Sequence, residues 1–241
     1  MKPVRQFVGL LGLLMPALDA AADVAEHHNG IDKVYLPYVL PLERELEVRG
    51  VYQRDASKSE DGLFRLRTGI GRSLTEKVFL EGYLITKRDP QGNSSLEGYE
   101  IETRIQLSEQ GEYWADWGIL FELGRERSES ITELSTMLLV SREWGRWTST
   151  LNAGIEYEFG SDIKNEFDTK MALQWRYRFS ELLEPSIEWY VDEFTSAVGP
   201  VLSGLIRTPG RKKLHWETGL LFPLNHTTPD TSFRFLLEFE F

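Results

Sequence analysis

The sequence predicts an all-β fold, a transmembrane antiparallel β-barrel of about twelve strands behind a cleaved signal peptide. Three observations carry that prediction. Residues 1–22 have the anatomy of an export signal. From residue 43 onward, apolar and polar side chains alternate in segments of roughly ten residues, the length a tilted strand needs to cross a bilayer. Finally, the chain stops on "FRFLLEFEF", in which Phe233, Phe235, Leu237, Phe239 and Phe241 share one face.

The first element is "MKPVRQFVGLLGLLMPALDAAADV", with Lys2 and Arg5 ahead of an apolar run from Phe7 to about Leu18. Ala20 and Ala22 form an A-x-A cleavage site before Asp23. A membrane anchor needs roughly 20 apolar residues, and this run is too short.

Residues 23–42, "DVAEHHNGIDKVYLPYVLPL", are expected to form an irregular periplasmic segment, because Pro37 and Pro41 lack the N–H that a regular element requires. Glu26, His27, His28 and Asp32 offer imidazoles and carboxylates of the kind that hold a transition metal. A solvated segment behind the cleavage site is the expected reading, with no metal and no cofactor.

The barrel is expected to occupy 43–241. Its strands are predicted to begin near Arg44, Gly62, Glu76, Leu96, Tyr113, Ile131, Arg146, Asn165, Leu183, Ala197, Lys213 and Thr231. A weakly marked boundary between Thr195 and Ala197 leaves ten or fourteen strands open as alternatives. In "EFDTKMALQWRYRF", Phe167, Met171, Leu173, Trp175, Tyr177 and Phe179 oppose Asp168, Lys170, Gln174, Arg176 and Arg178. Such period-two faces are the mark of half-buried strands.

The odd connections, such as "RDASKSEDG" and "PLNHTTPDT", read longer than even ones such as "EWG" and "TPGR"; "EFTS" is the exception. Barrels of the outer membrane keep short periplasmic turns and longer outer loops. Alternation alone also fits a soluble sandwich. The number of long segments and the tryptophans at their ends (Trp114, Trp117, Trp144, Trp147, Trp175, Trp189, Trp216) favour a closed sheet in lipid.

With the apolar face outward, the charged face lines a lumen. The candidate solute path is Arg49, Arg65, Arg67, Arg104, Lys170, Arg176, Arg178, Glu100, Glu102, Glu156 and Glu188, with Lys77 on the third strand. Opposed basic strips would select solutes by a transverse field; alternatively, neighbouring acids and bases pair and fill a crowded interior. Strand eight lies between the Glu156/Glu158 and Glu184/Glu188 strands, so its bases have acids on both sides.

Composition excludes several functions. The 27 basic residues are outnumbered by 38 acids, a formal charge of −11 that leaves no dense basic face for nucleic acid. Without cysteine there is no thiol catalysis, disulfide or cysteine-linked lipid. His215 and His226 have no serine at a recognisable spacing, so a lipid-modifying enzyme rests on analogy of fold and no catalytic residue is expected.

Phe241 behind alternate apolar residues resembles the terminal signal read by the outer-membrane barrel-assembly machinery. That resemblance implies that the last strand pairs with the first to close the cylinder. The phrases "KVYLPYVLPLERELE", "RYRFSELLEPSIEWYVDE", "SAVGPVLSGLI" and the final stretch from Lys213 resemble uncharacterised proteobacterial outer-membrane barrels similar to those of the phenol meta-cleavage pathway. "FPLN" at Phe222–Asn225, where many such barrels carry Gly, departs from the pattern. The resemblance implies a barrel and the passage of small organic molecules.

The function expected is a narrow passive channel for small solutes, aromatic or anionic ones among them. The alternative is an accessory barrel plugged by its own ion pairs and by residues 23–42. Expected partners are outer-membrane lipid and lipopolysaccharide, periplasmic chaperones and the assembly machinery.

Overall fold

The computed structural model describes residues 30–55, 61–127, 130–161, 164–210 and 212–241. The expected signal peptide and the Glu26-His27-His28 group lie outside the described residues. The strands are β1 Arg44–Arg54, β2 Phe64–Ser73, β3 Val78–Arg88, β4 Ser94–Gln106, β5 Asp116–Glu126 and β6 Thr132–Trp144. They continue as β7 Trp147–Phe159, β8 Glu166–Tyr177, β9 Glu184–Val191, β10 Ser196–Arg207, β11 Lys213–Pro223 and β12 Thr231–Glu240.

Each strand pairs antiparallel with its sequence neighbours, and β1 pairs with β12, so the twelve strands form a closed barrel. The closing seam runs from Glu45↔Glu240 to Arg54↔Thr231. Closure leaves no unpaired edge, the condition for a sheet placed in hydrocarbon. The weak boundary near Thr195 resolves into two strands joined by residues 192–195.

Burial is inverted relative to a water-soluble protein. Leu46, Ile70, Leu84, Ile101, Leu123, Ile155, Ile187 and Leu220 point outward and are 45–64% exposed. Glu47, Arg49, Glu188 and Arg234 point inward and are at most 4% exposed. In water each half-bare aliphatic would forgo roughly 1 kcal/mol of burial. Repeated around the whole cylinder, that pattern belongs to a surface meant for lipid. The tryptophans, Trp189 excepted, gather toward the end that carries the even connections. Trp147 packs there on Trp175 and Tyr177, with ring centroids 5.1 and 4.8 Å apart. At the other end Tyr157 packs on Phe167 at 4.4 Å.

Two expectations need correction. Loop-length parity is blurred: residues 107–115, an even connection, are as many as 55–63 in the first loop. The extra length folds back on itself. Trp117 N donates to Ser108 Oγ (2.9 Å), Gly111 N donates to Asp116 Oδ1 (2.6 Å), and Trp114 meets Trp117 edge-on.

The larger correction concerns residues 23–42. Their described part, 30–42, is irregular as expected, but it runs inside the barrel rather than in the periplasm. Gly30 lies at the mouth with the odd connections, where its N–H donates to Thr195 Oγ1. Leu40 lies at the opposite mouth, where its carbonyl accepts from Ser73 Oγ. Thirteen extended residues reach roughly 40 Å, enough to span the barrel. Leu42, at φ 64°, then turns this strap into β1.

Prolines keep the strap out of the sheet, and the wall makes room for it. Pro37 rests on Gly118 of β5, where a Cβ would lie 2.9 Å from the Pro37 Cα.

Candidate functional site

The site is the lumen, and its chemistry follows from strand register. Successive pairings place Glu81, Glu102, Glu122, Ser135, Glu156 and Asp168 side by side on six consecutive strands. Like charges directly opposite one another destabilise a sheet. The cations that relieve them come from the strap, from β1 and from β8 at the end of the row itself.

Lys33 of the strap places its ammonium 2.5 Å from Glu47 and 3.9 Å from Glu81. Arg49 of β1 is the hub of the group: its guanidinium reaches Asp32 at 2.8 Å, Glu102 at 2.9 Å and Glu47 at 3.0 Å. The same guanidinium lies 4.5 Å from the centre of the Tyr83 ring, within cation–π range. Arg67 adds a second contact to Asp32 at 3.2 Å. Across the lumen, Lys170 bridges Glu122 (2.6 Å) and Glu156 (2.9 Å).

A second cluster lies on the β8–β12 wall. Arg234 grips Glu188 with two hydrogen bonds, 2.9 and 2.6 Å, and reaches Glu217 at 2.7 Å. Gln174 and the Tyr190 hydroxyl donate to the remaining Glu188 lone pairs, each at 2.7 Å. A buried charge pair of this kind is tolerated because the geometry is bidentate and the spare lone pairs are satisfied.

The strap's backbone is held by side chains rather than by a ladder. Asn152 accepts from Tyr35 N (2.7 Å) and donates to Tyr35 O (2.8 Å), copying a strand pairing with one amide group. The Tyr35 hydroxyl donates to Glu102 (2.7 Å), Val39 N donates to Gln106 (2.9 Å), and the Tyr190 hydroxyl shares its one proton between Glu188 and the Asp32 carbonyl, 2.8 Å away. Tyr38 OH donates to Asp116 (2.7 Å) near the even-connection mouth. At the other mouth, Asp192 of the 192–195 link accepts from Phe194 N and Thr195 N. Burial holds its carboxyl above the usual carboxylate range.

Of the expected solute-path residues, Arg49, Arg65, Arg67, Arg104, Lys170, Arg176, Glu100, Glu102, Glu156 and Glu188 lie on the inner face. Most are consumed by ion pairs: Arg65 with Glu97 at 2.9 Å, Arg176 with Glu184 at 3.3 Å. Arg178 falls just beyond β8, at the even-connection mouth, where it pairs with Glu143. Lys77 lies in the 74–77 turn rather than on a strand and pairs there with Glu109 at 2.7 Å. Sequence reasoning missed the strap residues Lys33 and Tyr35, their partners Tyr83 and Asn152, and Arg234 on the far wall, and it read Asp32 only as part of a metal-binding group rather than as a partner of Arg49. Their signal is faint: "GIDKVYLPYVL" alternates in burial but not in polarity.

Three carboxylate triads have the spacing of a metal site: Glu43/Glu238/Glu240, Glu45/Glu47/Glu81 and Glu100/Glu102/Glu122. Protein cations already touch each, Lys213 on Glu240, Lys33 on Glu47, and Arg49 and Lys170 on the third. Two spaces remain. One, of about 70 Å³, lies beside Ile31, Arg65 and Glu97 on the odd-connection side. The other, of about 400 Å³, lies between the strap and the β8–β12 wall on the other side. Lys33 borders both.

No family model and no curated protein sequence matches the chain. Among solved structures it is similar to a bacterial polysaccharide outer membrane secretin, with 11% identity, a TM-score of 0.42 and coverage of 84% of this chain and 99% of that one. It is similar also to a loop L8 deletion mutant of OmpT, an outer membrane protein of Vibrio cholerae, with 6% identity, a TM-score of 0.37 and the same coverage. A third is Salmonella typhi OmpF in complex with daunomycin, with 6% identity, a TM-score of 0.31 and coverage of 83% and 97%. The fold assigned to the chain rests on its own closed strand order: a twelve-stranded antiparallel barrel with an apolar exterior and a charged, strap-filled interior.

Proposed function

We propose that the protein is an outer-membrane barrel whose narrow lumen passes small solutes and is held shut in this state by its own strap. One observation carries the reading: residues 30–42 run from mouth to mouth, with their charges paired to the wall. A barrel of about twelve strands is wider than side chains alone can fill, and here a length of backbone supplies the rest. The oily exterior supports placement in the outer membrane. The plugged arrangement is favoured over a freely open channel because Lys33 and Asp32 neutralise the crowded wall charges at mid-depth.

The test is single-channel recording of the full chain in planar bilayers. The native protein is expected to be nearly silent. Removing both strap charges in an Asp32→Asn/Lys33→Gln variant should bring frequent, cation-selective openings, since acids outnumber bases on the inner wall. Steady conductance by the native chain, unchanged in the variant, would overturn the reading.

A further inference from the structure

The 400 Å³ cavity holds charges that the ion-pair network leaves over. Arg104 of β4 projects into it with Phe79 behind its guanidinium, 5.0 Å away. Among the described residues Arg104 makes no ion pair, and its Nε is shut off from solvent with no hydrogen-bond partner. Glu238 of β12, with no ion pair among the described residues, and Glu43, which accepts only a 3.3 Å bond from Leu40 N, line the same space. In this space the carboxylates of Glu43 and Glu238 stand within 4.8 Å of each other, and among the described residues Arg104 forms no ion pair with either. A guanidinium left unpaired beside unpaired carboxylates is costly unless something between them satisfies both.

The opposite wall is of another kind. Val34, Leu36 and Leu40 of the strap also line the cavity and give it an apolar floor. Volume, floor and charges together describe one occupant. We propose that this cavity binds a small zwitterion with an apolar side chain, of the α-amino-acid type. Its carboxylate meets Arg104, its ammonium meets Glu238 and Glu43, and its side chain lies on Val34, Leu36 and Leu40. The volume is in the range of pockets that enclose a small organic molecule. The inference names a solute class for the same lumen, but it needs no opening of the strap, so it is tested at equilibrium on the closed barrel.

Titration calorimetry on the full chain, refolded in detergent, reads it directly. The probes are L-phenylalanine, L-leucine, 2-phenylethylamine, which lacks the carboxylate, and 3-phenylpropanoate, which lacks the ammonium. Both amino acids should bind, and each single-charge analogue should bind about tenfold or more weakly, the loss expected for one charge-assisted hydrogen bond. Arg104→Gln and Glu238→Gln should each weaken L-phenylalanine by a similar factor, while Lys77→Gln, whose side chain pairs with Glu109 and does not line the cavity, should not. Three results would overturn the proposal: an amine that binds as tightly as the amino acid, an acid that does, or no binding by either amino acid at millimolar concentration. The analogue comparison uses the native protein, so it decides the matter even if a variant fails to fold. Failure here leaves the conductance result untouched.

Discussion

Asn152 shows how much one side chain is asked to do. Its amide is the only link, among the described residues, that satisfies both the N–H and the C=O of Tyr35 in mid-lumen. Replacing it by alanine leaves two buried backbone groups without partners, at a cost of roughly 1–3 kcal/mol each. Asn152→Ala should therefore lower the denaturation midpoint of the refolded barrel, measured by the loss of fast gel migration on heating. An unchanged midpoint would show that the strap is held by its charges alone. The sequence marked Asn152 as inward, because it sits between Leu151 and Ala153 in a period-two strand. It could not mark the partner, since Tyr35 is 117 positions away and reached through backbone atoms. The same holds for Arg49 and Arg234. Their inward direction is legible from parity, whereas the choice of Glu102 or Glu188 depends on strand stagger and on a strap with no period of its own.

At the level of elements, strands were legible and the strap was not, for one physical reason. A strand between lipid and lumen must alternate oily and polar side chains, and this writes its position within about three residues of the observed starts. A strap surrounded by protein on every side meets no such contrast. Its prolines exclude it from the sheet but do not say where it goes instead. Gly118 does record the contact, as an inward position with no side chain. Gly118→Val would drive a branched side chain into Pro37, whose Cα, Cβ and carbonyl oxygen lie 2.9–3.1 Å from the added Cβ. The expected result is a barrel of unchanged strand content by circular dichroism that opens more often in bilayers. Gly82→Val is the comparison that should stay silent, because the nearest atom to its Cβ is 4.0 Å away on the outer side. Equal behaviour of the two variants would show that the close approach at Pro37 does not hold the lumen shut.

For the whole molecule, sidedness follows from assigning the mouth that carries Leu224 and the odd connections to the outside. The absence of cysteine makes this easy to check, because a single introduced thiol is unambiguous. Leu224 is 59% exposed at one mouth and Leu42 is 84% exposed at the other. A membrane-impermeant maleimide should label Leu224→Cys on intact cells and Leu42→Cys only after the outer membrane is breached; the reverse pattern would invert the barrel. The inside-out distribution of charge was readable from composition and parity together, and it is why about 27% charged residues coexist with a lipid-facing surface. The strap has one more consequence. It leads without a break into β1, and β1 is half of the seam that seals the cylinder. The stopper and one stave of the closing seam are thus one continuous piece of chain, so the vessel is coopered around its own cork. Any path through the closed cylinder must therefore run beside the cork or wait for it to shift against the seam strand it continues into.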